Sequence, residues 1–121
     1  MSALVAVEAL SALAQPARLA VFRQLVQAGA AGLAAGEVAR RLRIPGNTMS
    51  TQLAILSRAG LIHSRREGRS IRYFADFAIL AGLLSFLVED CCQGAPQICA
   101  PLQAMVSRVA CCPAETPVTP E

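Results

Sequence analysis

Residues 42–62 read LRIPGNTMSTQLAILSRAGLI and carry the pattern of a turn, a helix and the start of a strand. At about 100° per residue, Met49, Leu53 and Leu56 fall on one narrow apolar stripe of the helix. A Pro-Gly pair ends the preceding helix, and Gly60 occupies the position that follows a helix C-terminus. The stretch therefore predicts the turn and second helix of a helix-turn-helix.

The opposite face of this helix, which is predicted to span residues 47–59, is polar but almost free of charge. A solvated helix face usually carries Lys and Glu, whereas small hydroxyl and amide side chains suit hydrogen bonding to base edges in a major groove. An ordinary amphipathic core helix is the alternative interpretation of the stretch taken alone. The candidate DNA-contacting residues of the helix are Asn47, Thr48, Ser50, Thr51, Gln52 and Arg58.

Two strand-like runs follow, at residues 61–66 and 69–74, on either side of a Glu67-Gly68 pair. Such an arrangement predicts a β-hairpin with an arginine-rich tip. A helix-turn-helix followed at once by such a hairpin is typical of a winged helix, whose wing lies beside phosphates or a minor groove. A hairpin without this role is the alternative. The candidate DNA-contacting residues of the hairpin are Arg65, Arg66, Arg69 and Arg72.

The distribution of charge supports a nucleic-acid partner. All eleven basic residues are arginine, and eight of them lie between residues 40 and 72, where Glu67 is the single acid. A basic centre between neutral helices is an electrostatic footprint for phosphate. A solvated run of charge is the alternative, which the coincidence with the helix-turn-helix pattern weakens.

Helices are also predicted on both sides of this basic centre. Pro16 suits the first turn of a helix because its missing N–H has no partner there, and this helix should end near Gly29. Asp76 can cap the last of these helices, which has a broad apolar stripe. The stripe consists of Phe77, Leu80, Leu84, Leu87 and Val88. These helices span about residues 4–13, 16–29, 34–42 and 76–92, and residues 30–32 form a loop.

Composition favours a homodimer. The chain of 121 residues is 55% hydrophobic, only 16% charged, and has a mean hydropathy of +0.49. A chain this short exposes much of its surface, so these apolar residues favour a partner surface, and a second copy is the simplest one. The predicted dimerisation helices are residues 3–14 and 76–92.

No apolar run reaches the roughly 20 residues of a membrane-spanning helix, and the apolar N-terminus lacks the basic start of a signal peptide. We therefore expect a cytoplasmic protein without a membrane partner. One domain is predicted over residues 1–112, with a DNA-binding core at about 34–74 and a cysteine-bearing segment at 91–112. The proline-rich tail at 113–121 is expected to be flexible.

The part of the chain from about residue 12 to residue 74 resembles the ArsR/SmtB family of bacterial metal- and metalloid-sensing repressors. Residues 13–19 read LAQPARL, similar to the family's L-x-x-P-x-R-L, and residues 36–42 read GEVARRL. Residues 53–62 read LAILSRAGLI, similar to the end of H-L-x-x-L-x-x-A-G-L-V, and the wing at 65–73 also fits. The resemblance implies a dimeric winged helix that binds operator DNA when empty and releases it when an inducer binds.

The chain departs from the family's best-known sensor sites. Residues 32–39 lack the cysteines of the best-known arsenic sensors, and the histidine and carboxylate pattern of zinc sensors is missing. His63, the one histidine, is expected to be structural. A metalloid sensor must therefore use the cysteines after residue 90, where some members of the family place it. These are Cys91, Cys92, Cys99, Cys111 and Cys112.

Cys91, Cys92 and Cys99 form the candidate sensor site, since a Gly/Pro loop can bring the third thiol back to an adjacent pair. Three thiolates are a soft ligand set that excludes Mg²⁺, Ca²⁺ and Mn²⁺ and disfavours zinc, which prefers four ligands. Trivalent arsenic or antimony takes three sulfurs in a pyramid, and methylarsenite is a further candidate inducer. Cys111 and Cys112 could complete a site across the dimer, add a second one, or have no role.

Other roles for these thiols stay open. Adjacent exposed cysteines can form a redox switch, thiolates bind Cd(II) or Pb(II), and cysteine is a common buried small residue. A disulfide framework is not expected in a reducing compartment. The sequence carries no Ser/His/Asp set and no phosphate loop, and a thiol enzyme such as an arsenate reductase would need an anion-binding loop beside its nucleophile. We therefore expect a repressor and no enzyme.

Overall fold

The computed structural model describes residues 1–88 together with Pro101, Leu102 and Ala104. Met1–Phe86 form one compact unit, and the chain from Leu87 onward forms a second one, of which few residues are described. The order of elements is α1 (Ala3–Leu13), α2 (Pro16–Ala28), a 3₁₀ turn (Gly29–Ala31), β1 (Leu33–Ala34), α3 (Ala35–Leu42), α4 (Gly46–Arg58), β2 (Ile62–Glu67), β3 (Ser70–Ala75) and α5 (Phe77–Val88). The predicted fold class, a mainly helical winged helix-turn-helix, is confirmed.

Side-chain caps fix the starts of three helices, and at the start of α1 the hydroxyl of Ser2 accepts a hydrogen bond from the backbone N–H of Val5 at 3.2 Å. The amide oxygen of Gln15 accepts a hydrogen bond from the backbone N–H of Arg18 at 2.9 Å, and Pro16 lies in the first turn of α2 as predicted. The carboxylate of Asp76 accepts a hydrogen bond from the backbone N–H of Ile79 at 3.1 Å, as predicted for α5. Each cap satisfies an N–H group that has no partner within its own helix.

The helix-turn-helix consists of α3 and α4. Arg43, at the end of α3, has a φ of 56° and turns the chain towards α4. Met49, Leu53 and Leu56 are at most 1% exposed, so the predicted apolar stripe of α4 is confirmed. Gly60 follows the end of α4 with a φ of +82°, a conformation that favours glycine.

The wing is an antiparallel hairpin whose turn differs by one residue from the prediction. Strand β2 pairs with β3 from Ile62 opposite Ala75 to Glu67 opposite Ser70. The turn therefore consists of Gly68 and Arg69, and Glu67 belongs to β2. The reason is that a two-residue turn of this kind needs a positive φ at its first position, and Gly68 supplies it at +62°.

A third strand, β1, was not predicted and replaces the start of the expected third helix, which begins only at Ala35. It pairs with β3 through Leu33 opposite Tyr73 and Ala34 opposite Arg72. The sheet order is β1-β3-β2. The 3₁₀ turn that leads into this strand, Gly29–Ala31, overlaps the loop predicted at residues 30–32.

The two terminal helices leave large apolar side chains exposed. Helix α1 buries Ala6, Ala9 and Ala12, whereas Leu4 is 70% exposed and Val7 57% exposed. In α5 the buried residue is Leu83, which is not in the predicted stripe. The stripe residues Phe77 and Leu84 are exposed instead, at 44% and 47%. The described residues of one chain thus do not bury the apolar faces of these helices.

No single helix among the described residues is both long enough and apolar enough to cross a membrane; α1 and α2 meet the length and composition criteria only as a pair bent by 101°.

Candidate nucleic-acid interface

The outer face of α4 presents a continuous polar surface. Asn47, Thr48, Ser50, Thr51 and Arg58 are exposed, and they are five of the six candidate residues of this helix. Local hydrogen bonds hold the first turn, where the side-chain oxygen of Asn47 accepts from the N–H of Thr48 at 2.9 Å and the hydroxyl of Thr51 donates to the carbonyl of Asn47 at 3.3 Å. The N-terminal part of a second helix in this motif contacts base edges in the major groove.

Gln52, the sixth candidate, differs from the others because it is half-buried. Its side-chain oxygen accepts a hydrogen bond from the guanidinium of Arg18 at 3.2 Å. The helical period predicts Gln52 on the polar outer face of α4 and gives no sign of its contact with Arg18. The only available signal was that Arg18 is the arginine of the LAQPARL motif.

The arginines of the wing divide into two groups. Arg65 and Arg72 donate hydrogen bonds to the carboxylate of Glu67, at 3.1 Å and 3.0 Å. Arg66 and Arg69 are exposed and have no hydrogen-bond partner among the described residues. Their guanidinium groups are therefore available to phosphates.

Arg72 also connects the wing to the body of the unit. Its guanidinium donates to the carbonyl oxygens of Ala31 and Gly32 at 3.1 Å and 3.2 Å, and its side chain is only 33% exposed. Arg65 lies over the ring of Phe74, with 4.8 Å between its guanidinium carbon and the ring centroid. Both predicted contact residues thus have partners within the chain that DNA would have to share or replace.

Two acids near the helix-turn-helix and the wing, Glu37 and Glu67, are each paired with two arginines. Hydrogen bonds from Arg72 and then Arg65 hold the pKa of Glu67 below its ordinary value. Hydrogen bonds from Arg41 and then Arg40 likewise lower the pKa of Glu37 on α3. At neutral pH these carboxylates are therefore ionised and neutralise part of the positive surface around the helix-turn-helix.

The described residues contain no group of three His, Cys, Asp or Glu side chains that could hold a metal ion. His63 is exposed, stacks on Phe74 with 5.4 Å between the ring centroids, and has its Nδ1 at 3.9 Å from a carboxylate oxygen of Asp76. The cysteine site predicted at residues 91–112 and the tail at 113–121 lie outside the described residues, as do residues 89–92 of the predicted last dimerisation helix.

Comparisons with known proteins agree with this geometry. Residues 13–65 match the model of a helix-turn-helix domain family. An ArsR-like transcriptional regulator from Rhodococcus sp. RHA1 is 26% identical, with 88% of this chain and 92% of that chain covered and a TM-score of 0.62. The transcriptional repressor BigR from Xylella fastidiosa is 30% identical, with 68% and 81% covered and a TM-score of 0.55.

A third solved structure is described as a homodimeric winged helix-turn-helix DNA-binding domain. It is Mb0332 from Mycobacterium bovis, a possible ArsR-family regulator, which is 27% identical, with 71% of this chain and 80% of that chain covered and a TM-score of 0.57. The comparison with curated proteins found no match. The similar structures are those of transcriptional regulators, which agrees with the absence of enzyme motifs from the sequence.

Proposed function

The chain belongs to the ArsR family of winged helix-turn-helix transcriptional regulators, and from this membership we propose that it is a cytoplasmic repressor. It binds operator DNA as a homodimer and releases the DNA when trivalent arsenic binds thiolates near its C-terminus. Antimony(III) and methylarsenite are alternative inducers, which would bind the same thiolates.

The observation that carries DNA binding is the combination of the polar outer face of α4 with two wing arginines that have no partner among the described residues. The short polar side chains of α4, Asn47 and Thr51 among them, suit base edges. Arg66 and Arg69 suit the phosphate backbone on one side of the groove. One copy of this unit would thus supply both the base contacts that recognise the DNA sequence and the phosphate contacts that position the protein on the DNA.

The exposed apolar faces of α1 and α5 support a dimer. Side chains such as Leu4 and Leu84 leave large apolar areas in water, and a second copy would remove them from water. A two-fold dimer places its recognition helices in successive major grooves, about 34–36 Å apart. The homodimeric state of the related domain from Mycobacterium bovis supports the same assembly.

The proposal for the inducer rests on the cysteines. All five lie after residue 90, in a family whose regulators respond to metals and metalloids. Cys91, Cys92 and Cys99 offer three sulfur ligands from one chain, which matches the three-sulfur preference of arsenic(III). Cys111 and Cys112 are available for a second or shared site.

The cysteine variants test this proposal. Cys99→Ser should bind operator DNA like the parent protein but fail to release it when arsenite is added, because two thiolates remain where three are needed. Cys111→Ser with Cys112→Ser is the matched control that removes thiols outside the proposed site. If Cys99→Ser responds to arsenite like the parent, the proposed ligand set is wrong.

A redox-sensing repressor of the same fold is the second candidate, since adjacent cysteines also oxidise to a disulfide. A Cd(II)- or Pb(II)-sensing repressor would use the same thiolates. Titration of the DNA complex with peroxide, cadmium and arsenite in separate experiments distinguishes these inducers. A response to peroxide alone would favour the redox switch.

A further inference from the structure

Arg18 joins three helices through a single side chain. It lies in the first turn of α2, where it is half-buried. Its Nε donates a hydrogen bond to the backbone carbonyl of Ala12 in the last turn of α1, at 2.6 Å. Its Nη1 donates to the side-chain oxygen of Gln52 on α4, at 3.2 Å. The candidate dimerisation helix and the DNA-facing helix are thus tied to one guanidinium.

The hydrogen bond from Arg18 to α1 provides a partner for the C-terminal end of that helix. The last carbonyl groups of a helix have no partner within it and carry the negative end of its dipole. Helix α1 has no basic residue in its own last turn. Arg18 therefore supplies the positive charge and the hydrogen-bond donor that the end of α1 lacks.

The contact with α4 determines how Gln52 is oriented. A guanidinium can only donate hydrogen bonds, so the amide oxygen of Gln52 must face Arg18. The amide N–H₂ group is then left without a partner among the described residues. This group is a donor on the helix that carries the candidate base contacts, and acceptors such as guanine O6 and N7 or thymine O4 line the major groove.

An open groove of about 510 Å³ lies beside this link. It is lined by residues of α1 such as Val7 and Glu8, and by Ile55 and Arg58 of α4, and Arg18 is also in its wall. The groove thus opens where α1 and α4 meet, and the bonds of Arg18 provide a polar connection between the two helices beside it.

We infer that Arg18 is a positioning residue for DNA recognition, which holds Gln52 with its N–H₂ group presented as a donor to a base edge and anchors α4 to the end of α1. The inference rests on the proposed DNA-binding function and adds a residue that does not itself contact DNA. It also explains why Gln52 differs in exposure from the other candidate residues of α4.

A double-mutant cycle between Arg18 and Gln52 tests this role. Arg18→Met keeps an unbranched side chain but removes the donors, and Gln52→Met removes the presented amide. The dissociation constants of the parent, both single variants and the double variant are measured for operator DNA and for a scrambled duplex. Arg23→Met on the same helix is the matched control, because Arg23 is exposed and its loss changes the charge equally.

We expect Arg18→Met to weaken operator binding about tenfold, close to the effect of Gln52→Met, and the double variant to be no weaker than either single one. Binding of Arg18→Met to the scrambled duplex should fall only as far as that of Arg23→Met. The ratio of operator affinity to scrambled-duplex affinity should therefore drop. Sedimentation should show the same oligomeric state in all variants. A purely structural role would instead lower both affinities together.

Two results would overturn the inference. One is operator binding by Arg18→Met equal to that of Arg23→Met, and the other is additive losses in the double variant. If Arg18→Met does not fold, the same cycle with Arg18→Lys, which keeps the charge and loses the second contact, measures the coupling. A parent protein that binds no DNA would instead refute the proposed function itself.

Discussion

At the level of single side chains, the hydrogen-bond partners of each wing arginine determine whether its guanidinium is available to a DNA phosphate. Glu67 holds Arg65 and Arg72, whereas Arg66 and Arg69 have no partner among residues 1–88. A surface ion pair competes with phosphate for the same guanidinium, and such pairs contribute little to stability when exposed. The charge of the wing that DNA meets is therefore smaller than its arginine content suggests.

The two arginines that Glu67 does not hold should make the phosphate contacts. Arg66→Gln and Arg69→Gln are each expected to weaken binding to operator and scrambled DNA alike. Each should reduce the slope of log K against log salt by about 1, as expected for one lost phosphate contact. Fluorescence anisotropy at several salt concentrations measures both effects. Arg23→Gln on α2 is the control, and an equal change of slope in that variant would contradict the assignment.

Glu67 should act against DNA binding. Glu67→Gln removes a negative charge near the phosphates and releases Arg65 from its ion pair, so DNA affinity should rise by a few-fold and the salt slope should steepen by about 1. The same anisotropy series measures the change. Unchanged or weaker binding would show that Glu67 instead orients the wing for contact with DNA.

The exposure of the α4 side chains was predictable from the sequence, but the hydrogen-bond partners of Gln52 and Arg72 were not. The helical periodicity of the α4 sequence correctly separated the buried residues Met49 and Leu53 from the exposed residues Asn47 and Thr51. The engagement of Gln52 depends on a residue 34 positions away in the chain, and a hydrophobic period carries no information about such a contact. The two carbonyl contacts of Arg72 have sequence separations of 40 and 41 residues and were missed for the same reason.

At the level of elements, Gly32 determines how the short strand β1 meets the wing. It has a φ of +63°, and a Cβ atom there would lie 2.5 Å from the carbonyl oxygen of Tyr73 and 2.6 Å from the ring of Phe74. The carbonyl belongs to the backbone of β3 and cannot move without breaking the pairing of Leu33 with Tyr73. Gly32 is thus required by both conformation and space.

Gly32→Ala should lower the free energy of unfolding by more than about 3 kcal/mol, because strain at positive φ adds to the clash with β3. Gly29→Ala is the control: its φ is also positive, at +61°, but a Cβ there meets nothing within 4 Å. It should cost only about 1–3 kcal/mol, the strain of the backbone alone. Urea denaturation measures both values. Equal losses would mean that the close approach to β3 is not what requires glycine at position 32.

Helices were easier to predict than β1 because their signals are local. Pro16 and Asp76 mark helix starts by chemistry that acts within one turn. Strand β1 has two residues, too few for any alternation of apolar and polar side chains, and forms only because β3 offers a free edge. Its existence therefore depends on tertiary contacts.

At the level of the whole molecule, α1 is apolar on two faces for different reasons. Small alanines face the interior and allow α1 to pack closely, while large side chains such as Leu4 and Val7 face water. Composition alone predicted that a partner surface exists. Which apolar side chains are exposed depended on the structure, as Leu83 of α5 is buried within the chain and Leu84 is exposed.

Charges on this apolar surface should separate the dimer. Leu4→Glu combined with Leu84→Glu is expected to give a monomer in sedimentation, because two carboxylates per chain would have to be buried at the interface. Operator binding should fall at least about tenfold, since a monomer contacts one half-site only. Gln27→Glu combined with Ala30→Glu, at two exposed positions, controls for two added charges. A double variant that stays dimeric would place the interface elsewhere.

The most informative single measurement follows operator DNA during titration of the reduced protein with arsenite. Fluorescence anisotropy reports the DNA that stays bound, and a parallel thiol assay counts the cysteines consumed. We expect tight binding without arsenite and release when about three thiols per chain are consumed, since binding of metalloid and of DNA must oppose each other by linkage. Binding that persists in excess arsenite would contradict the metalloid sensor, and no binding at any stage would contradict the repressor itself.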